Sequence, residues 1–250
     1  MPLNDYRKKR DFSISPEPSG AKAPTKNPQS SLIYVMQKHR ATQLHYDFRL
    51  EFHGTLLSWA VPKGPSLDPS VKRLAMQVED HPVDYADFEG VIPEGEYGGG
   101  TVMVWDKGTW SPESPDVSAA LEKGDFKFTL HGKKLKGSWV LVRTRGFGSS
   151  SKVSWLLIKH RDAFASTGDV AQEMPRSAIS NRLLADIARD NGGDVEKAAT
   201  GDPAPLKPAK SAKPAAKSRG NASKAPKKVR KPAAPKPTRA PSQKQRKTST

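Results

Sequence analysis

Apolar and polar residues alternate along much of the first 165 residues, which is the pattern of β-strands with one buried face. Residues 46–52 are the clearest example, because successive side chains of a strand point to opposite faces. One face carries Tyr46, Phe48, Leu50 and Phe52, which we expect to join a hydrophobic core. The other face carries His45, Asp47, Arg49 and Glu51. This second set is an unusual surface for solvent alone and a suitable lining for a binding site.

Further strands are predicted at residues 32–38, 56–61, 73–80, 101–105, 125–130, 138–145 and 153–159. A short helix is predicted at 116–123, with Asp116 as its N-cap and Gly124 as its stop, and another at 181–189. Many short strands at this spacing, with so little helix, indicate an all-β barrel or sandwich.

Residues 73–80 form a second strand with one polar face. Leu74, Met76 and Val78 are expected to face the core. Arg73, Gln77 and Glu79 would face the other way, and continued alternation adds His81. Two polar-faced strands can line the same groove.

Residues 93–100 read PEGEYGGG, which invites comparison with a phosphate-binding loop. Such a loop needs G-x-x-x-x-G-K-[ST] at the start of a helix, whereas a strand is predicted here. We therefore expect these glycines to serve tight turns or a bulge.

The polar faces offer a metal site and an anion site side by side. His39, His45 and Asp47 can hold a divalent transition metal and leave positions open for water and substrate. Arg49 can grip a phosphate through two parallel hydrogen bonds. Reaction at a phosphate ester would also use the remaining charged groups, namely Arg73, Glu79, His81 and Lys63.

Each of these residues also has a simpler interpretation. A lone histidine or aspartate on a strand is usually only solvated. Arg73 can be a surface charge, Glu79 a solvated strand end, and His81 a turn residue before Pro82.

Composition divides the chain into a near-neutral part and a basic tail. Of the net charge of +16, residues 201–250 carry +14, because they hold 15 Lys and Arg against the single acid Asp202. Nine prolines and no aromatic residue in this stretch predict disorder. The tail suits non-specific binding to a polyanion such as DNA, although a solubilising linker is the alternative.

The predicted organisation has four parts. Residues 1–30 form an N-terminal arm, 31–165 the β domain, 166–200 a connector with a short helix, and 201–250 the disordered tail rich in Lys, Pro and Ala. The chain has no cysteine, which excludes disulfides and cysteine-based zinc sites. No secretory signal or membrane-spanning run is found, so a cytoplasmic protein is expected.

Three long segments resemble the 3′-phosphoesterase domain of bacterial DNA ligase D. They are HRATQLHYDFRLE at 39–51, SWAVPKGPSLDP at 58–69 and RLAMQVEDHPVDYADFEGVIPEGEYGGGTV at 73–102. The arm segment YRKKRDF at 6–12 fits the same family, with Pro16 and Glu17. The resemblance covers roughly residues 5 to 160 and rests on several motifs in the right order.

The resemblance implies a compact β-barrel with a groove and a divalent metal, typically Mn²⁺, although other divalent transition metals are possible. Such domains remove a 3′-terminal ribonucleoside from DNA and then the remaining 3′-phosphate, leaving a 3′-OH for ligation in non-homologous end joining. The metal ligands would be His39, His45 and Asp47. The catalytic and phosphate-contacting positions would be Arg49 and His81, supported by Lys63, Arg73, Tyr85, Gln37 and Glu79, and by Arg10, Asp11 and Glu17 of an arm that closes over the site.

One departure from ligase D concerns the partner domains. The chain has no K-x-D-G nucleotidyltransferase motif, so a free-standing form is expected, with Ku and a separate DNA ligase as possible partners of a monomer at DNA 3′ ends. The main alternative function is a non-catalytic DNA-binding β-barrel module. A third is a small-molecule metalloenzyme of cupin type, which the paired arginines and the basic tail argue against.

Overall fold

The computed structural model describes residues 3–21, 31–144 and 153–204. Eight strands of this described part close into an antiparallel barrel. They are β1 (Leu32–Arg40), β2 (Leu44–Phe52), β3 (Thr55–Val61), β4 (Arg73–Gln77), β7 (Gly100–Pro112), β8 (Asp125–Gly132), β9 (Lys136–Arg143) and β10 (Ser154–Lys159). Their order around the barrel is β1-β2-β3-β4-β10-β9-β8-β7, and β7 pairs back onto β1.

Two short strands extend this barrel on its edges. β5 (His81–Pro82) pairs with β3, and β6 (Gly90–Ile92) pairs with β7. A 3₁₀ turn (Val83–Asp87) lies between them. The helices are α1 (Asn4–Lys8), α2 (Val117–Lys123), α3 (Val170–Glu173), α4 (Leu184–Asp190) and α5 (Val195–Ala199).

The predicted fold class, an all-β compact barrel of about eight strands with a few short helices, is confirmed. Most of the predicted disordered tail, residues 205–250, lies outside the described residues, whereas residues 201–204 are described. Among the helices of the described part, none is long and apolar enough to cross a membrane.

The barrel interior holds the main hydrophobic core, to which all eight strands contribute. On β2, Tyr46, Phe48 and Leu50 point inward and are buried, as the alternation predicts. The interior is therefore filled with apolar side chains. The polar face of β2 points to the outside of the barrel.

A second apolar cluster covers this outer face. It contains Tyr6 of α1, Val35 of β1 and Leu56 of β3, together with Tyr85 of the 3₁₀ turn. The predicted arm thus contains a helix whose Tyr6 is fully buried on the barrel wall. The arm packs beside the polar face of β2 because its apolar side chains share this cluster.

The face assignment predicted for residues 73–80 is wrong. Ala75 is fully buried in the core, whereas Leu74 is 39% exposed, so the inward face carries the odd-numbered residues of β4. Pairing decides the face, since Gln77 lies opposite the inward-facing Trp59 of β3. The strand also ends at Gln77, and a separate short strand carries His81 back to β3.

The helix α2 follows its sequence signals. The Asp116 side chain accepts a hydrogen bond from the backbone N–H of Ala119, and Gly124 ends the helix in the left-handed conformation. The predicted second helix is present as α4, which begins three residues later than expected.

Residues 166–204 pack with the barrel in one compact unit. The buried carboxylate of Glu89 accepts hydrogen bonds from Ser177, Ser180 and Arg182. Asp202 accepts from the first backbone N–H groups of α4, Leu184 and Ala185. The folded part therefore continues past residue 200, where the sequence predicted the tail to begin.

Candidate functional site

The hairpin of β1 and β2 brings two imidazoles and a carboxylate together on the outer face of the barrel. His39 lies opposite His45 in the antiparallel register, and Gln37 lies opposite Asp47. Asp47 Oδ2 is 3.6 Å from His39 Nδ1 and 3.7 Å from His45 Nε2. The candidate ligand atoms of the three residues all lie within 4.8 Å of one another.

These distances fit a shared metal ion. Each nitrogen-to-oxygen separation exceeds hydrogen-bond length. Two ligand atoms at ~2.1 Å from one tetrahedral ion are about 3.4 Å apart. The Nδ1–H of His45 donates to the Gln43 carbonyl at 3.1 Å, which leaves Nε2 unprotonated in the neutral ring and facing Asp47.

The ionisation of Asp47 agrees with a metal site at these three residues. Although burial alone would raise it, the pKa of Asp47 is held well below its usual value by Arg49 and the two histidines. Asp47 is therefore a carboxylate ready to bind a cation. The donor set fits a divalent transition metal such as zinc or manganese.

Arg49 lies next to this triad, and its guanidinium is held from three sides. Nε donates to Gln37 Oε1 at 2.9 Å, Nη1 donates to Ser58 Oγ at 2.8 Å, and Nη2 is 3.4 Å from Asp47 Oδ2. Gln37 is itself fixed, because its amide donates to the carbonyls of Tyr85 and Phe88. The N–H donors of a guanidinium lie in one plane and form a fork. A buried guanidinium held in one orientation is therefore suited to bind a phosphate.

His81 lies between two guanidinium groups. Its Nδ1 is 2.9 Å from the Glu79 carbonyl, and its Nε2 is 3.2 Å from Arg10 Nη2. Arg49 Nη1 also lies 2.9 Å from Nδ1, so a guanidinium group contacts each of the two ring nitrogens. Burial, Arg49 and Arg10 lower the pKa of His81 well below its usual value. The resting imidazole is therefore uncharged.

The arm supplies Arg10 to the cleft and fixes it there. Arg10 Nε donates to Glu17 Oε1 at 2.8 Å, and the guanidinium carbon lies 3.9 Å from the centre of the Tyr6 ring. Glu17 also accepts from the Tyr85 hydroxyl at 2.9 Å, and its side chain is fully buried. These contacts join the arm directly to the wall of the barrel.

Glu79 forms the acidic edge of the cleft. Its carboxylate binds Lys9 at 3.0 Å and Arg10 at 3.3 Å. Burial alone would raise the pKa of Glu79, but Lys9 and Arg10 lower it, so the group is ionised. The neighbouring Asp80 has a pKa raised to about 6 by burial and by the Glu79 charge.

The metal triad meets Arg10, Arg49, Glu79 and His81 in one open cleft of about 280 Å³. Its lining combines the metal triad with Arg10, Arg49, Glu79, His81, Tyr85, Tyr97, Gly98, Ala41, Ala60, Val78 and Ile92. The guanidinium groups of Arg10 and Arg49 and the neutral imidazole of His81 thus lie beside the metal triad. This arrangement can receive an anion next to a metal ion.

Other residues singled out from the sequence lie elsewhere. Lys63 is exposed two residues beyond the end of β3, and it does not line the cleft. Arg73 lies on the inward-facing side of β4, opposite Leu157 of β10. Asp11 is exposed and accepts hydrogen bonds from Ser13 in a local turn.

Three residues of the site did not emerge from the sequence. Ser58 lies opposite Arg49 on β3, and its position on the outer face of the alternation was the available signal. Lys9 belongs to a basic run with no visible partner in the sequence. Tyr97 was hidden in the segment PEGEYGGG, where the glycines drew attention instead.

Known proteins similar to this chain share the region that builds the cleft. The family model for the DNA ligase D 3′-phosphoesterase domain matches residues 37–143. The multifunctional non-homologous end joining protein LigD of Pseudomonas aeruginosa is 56% identical over 186 residues, or 73% of this chain and 22% of that protein. The multifunctional non-homologous end joining DNA repair protein LigD of Mycobacterium tuberculosis is 44% identical over 144 residues, or 58% of this chain and 18% of that protein.

The chain spans about a fifth of the length of these curated relatives. The range matched by the family model includes the metal triad, Arg49 and His81. On the strength of these matches and of the barrel that carries the cleft, the chain has a 3′-phosphoesterase domain of the DNA ligase D family.

Proposed function

We propose that this protein is a metal-dependent phosphoesterase acting on the 3′ ends of DNA strands. It would remove 3′-terminal ribonucleosides and 3′-phosphates and leave a 3′-OH that a ligase can seal. The single observation that carries the proposal is the position of Asp47 between two imidazoles and the guanidinium of Arg49. A protein that only binds DNA has no use for a cation-binding triad beside an anion-binding arginine.

His39, His45 and Asp47 would hold the metal ion, for which we propose Mn²⁺. The ion would polarise the phosphoryl oxygens and lower the pKa of a bound water. The chain's own residues would do the remaining work of binding, orienting and moving the proton.

Arg49 and Arg10 would bind the phosphoryl oxygens from two sides of His81. Gln37 and Ser58 hold the guanidinium of Arg49, and Glu17 holds that of Arg10, so little reorientation is needed when the substrate arrives. Preorganised donors aimed at developing charge are the usual source of a large rate effect.

His81 would exchange a proton with the ester oxygen that leaves the phosphorus. In the resting site, burial and the two guanidinium groups lower the pKa of His81 and keep it neutral. A bound phosphate dianion would offset these charges and raise the pKa of His81, which would allow Nε2 to carry the proton to be donated. Lys63, which is exposed and does not line the cleft, would contribute through a longer stretch of substrate. Arg73 faces inward on β4 and would not reach that substrate.

The arm would close over the 3′ end, since Arg10 and Glu17 form part of the site from outside the barrel. The basic stretch from residue 205 onward would hold the protein on DNA by neutralising phosphates. By similarity to LigD proteins, the repair process would be non-homologous end joining in the bacterial nucleoid, with Ku and a ligase as partners.

The experiment measures phosphate release from a primer-template whose primer ends in a 3′-phosphate, with and without Mn²⁺. The wild type should release phosphate only with the metal, and His45→Ala should release none. DNA binding without release in any divalent metal would instead support a non-catalytic DNA-binding module. His131→Ala is the matched control, because His131 lies on β8 outside the cleft.

A further inference from the structure

Tyr97 stands at the rim of the cleft, on the loop between β6 and β7. It is 44% exposed. Among the described residues only two aromatic side chains are exposed to this degree, and the other, Phe164, is not part of the cleft. The proposed phosphate chemistry gives this exposed aromatic ring no role.

The loop holds the ring in a fixed position relative to the metal triad. Two turns shape it, since the N–H of Glu96 donates to the Pro93 carbonyl and the N–H of Gly99 donates to the Glu96 carbonyl. Gly98 adopts a positive φ of 83°, and a Cβ added there would lie 3.7 Å from His39 Cε1. The backbone next to Tyr97 therefore lies close to a residue of the triad.

Two cations of the arm, Lys9 and Arg10, lie against the ring of Tyr97. Lys9 Nζ is 3.4 Å from the Tyr97 hydroxyl and 4.7 Å from the ring centre. The guanidinium carbon of Arg10 is 5.5 Å from the same centre. Because almost half of the residue stays exposed, these contacts orient the ring without covering it.

From this arrangement we propose that Tyr97 is the stacking platform for the terminal nucleobase of the 3′ end. This inference rests on the proposed function. The metal triad, Arg10 and Arg49 recognise only the phosphate, whereas the tyrosine ring offers a flat surface at the mouth of the same cleft. Stacking tolerates any base, because each base has a π face, so the site would grip the terminal nucleoside without selecting sequence.

The first test follows binding alone. The full chain, kept free of metal so that the 3′-phosphate is not released, is mixed with an oligonucleotide whose 3′-terminal, 3′-phosphorylated nucleotide is 2-aminopurine, a base that loses fluorescence when stacked. The wild type and Tyr97→Phe should quench the fluorescence, whereas Tyr97→Ala should not. Phe164→Ala is the matched control and should behave like the wild type, because its exposed ring lies outside the cleft.

The second test separates stacking from a structural role in seating the arm. Tyr97→Ala should raise the KM for a 3′-phosphate end by about tenfold with kcat little changed, in keeping with the loss of one base stack. On an otherwise identical end whose terminal sugar lacks a base, wild type and Tyr97→Ala should have the same KM. Equal losses on both substrates, or no loss on either, would overturn the proposal.

The two proposals fail in different ways. Quenching of 2-aminopurine by a wild-type protein that releases no phosphate would reject the proposed hydrolysis and retain the stacking platform. Hydrolysis by the wild type, combined with quenching that survives in Tyr97→Ala, would reject the platform and retain the phosphoesterase.

Discussion

Arg10 Nη2 lies 3.2 Å from His81 Nε2, so a residue of the N-terminal arm touches the imidazole on the barrel wall. Glu17 holds Arg10 in this position through a buried ion pair at 2.8 Å. The arm is thus a part of the site, although it is separated from the β1–β2 hairpin in the sequence. Its effect on the reaction can be measured apart from metal binding.

Glu17→Gln should lower kcat/KM for a 3′-phosphate end by at least about tenfold, because Arg10 loses the charge that orients it. Mn²⁺ affinity, measured by calorimetry, should be unchanged, since Glu17 does not contact the triad. Glu122→Gln on α2 is the matched control for losing one carboxylate, because Glu122 is exposed and lies outside the cleft. A parallel loss of metal affinity in Glu17→Gln would contradict this division of roles.

His81 should make the protein less stable as the pH falls below about 6.5, the pKa of histidine in the unfolded chain. The folded pKa lies well below that value because of burial, Arg49 and Arg10. Below pH ~6.5 the unfolded chain therefore binds a proton that the native protein does not, which favours unfolding. The stabilisation is fully present above pH ~6.5 and is lost on acidification.

The check is urea unfolding of wild type and His81→Gln between pH 5 and 7.5. Over the acidic part of this range, the free energy of unfolding of the wild type should fall more steeply, by up to about 1.4 kcal/mol per pH unit. Identical slopes for the two proteins would mean that His81 takes up a proton as readily in the native state as in the unfolded chain.

Metal binding should stabilise the wild type and leave triad variants unaffected. At a Mn²⁺ concentration of 100 times the Kd, the free energy of unfolding should rise by about 2.7 kcal/mol, as expected for one site. His45→Ala and Asp47→Asn should lose this gain, because each removes one of three ligands. Thermal unfolding with and without metal measures the effect, and a normal gain in either variant would exclude the triad as the site.

Gly100→Ala should destabilise the protein far more than Gly95→Ala. Both glycines have positive φ, at 148° and 92°, so both substitutions strain the backbone by about 1–3 kcal/mol. A Cβ on Gly100 would in addition lie 2.2 Å from the Arg40 carbonyl oxygen, whereas one on Gly95 meets nothing within 4 Å. The difference between the urea unfolding midpoints of the two variants measures the cost of adding a Cβ where β7 lies close to β1.

Glu89→Gln should destabilise the protein by about 1.5–3 kcal/mol, because the buried carboxylate loses the charge that strengthens its hydrogen bonds. Glu89 is the carboxylate on which Ser177, Ser180 and Arg182 converge. Hydrogen exchange should show faster opening of α4 in this variant. Glu113→Gln, an exposed carboxylate bound to Thr129, is the control and should change stability by less than about 1 kcal/mol.

The barrel and the three candidate metal ligands could be predicted from the sequence, because both follow from the local alternation of apolar and polar residues. Alternation on β2 separated the inward Tyr46, Phe48 and Leu50 from the outward Asp47 and Arg49. A strand has only two faces, so one strongly patterned strand determines its own orientation. His39 joined the set because a short hairpin returns β1 alongside β2.

The second strand of the site was decided by tertiary structure. Residues 73–80 alternate almost as clearly as β2, yet pairing with β3 and β10 turned the face with Ala75 inward and left Leu74 exposed. A clear alternation can therefore give way to the register of the neighbouring strands. His81 still reaches the cleft, because a separate short pairing with β3 brings it back.

The sequence by itself determined the strands, the sign of the charges and the triad on one hairpin, since these depend on neighbours a few residues apart. Only the tertiary structure decided that the site lies outside the barrel and that Arg10 and Tyr97, far apart in the chain, meet there. It also decided that residues 166–204 belong to the fold. Such contacts join residues far apart in the chain, and no local pattern encodes the packing that brings them together.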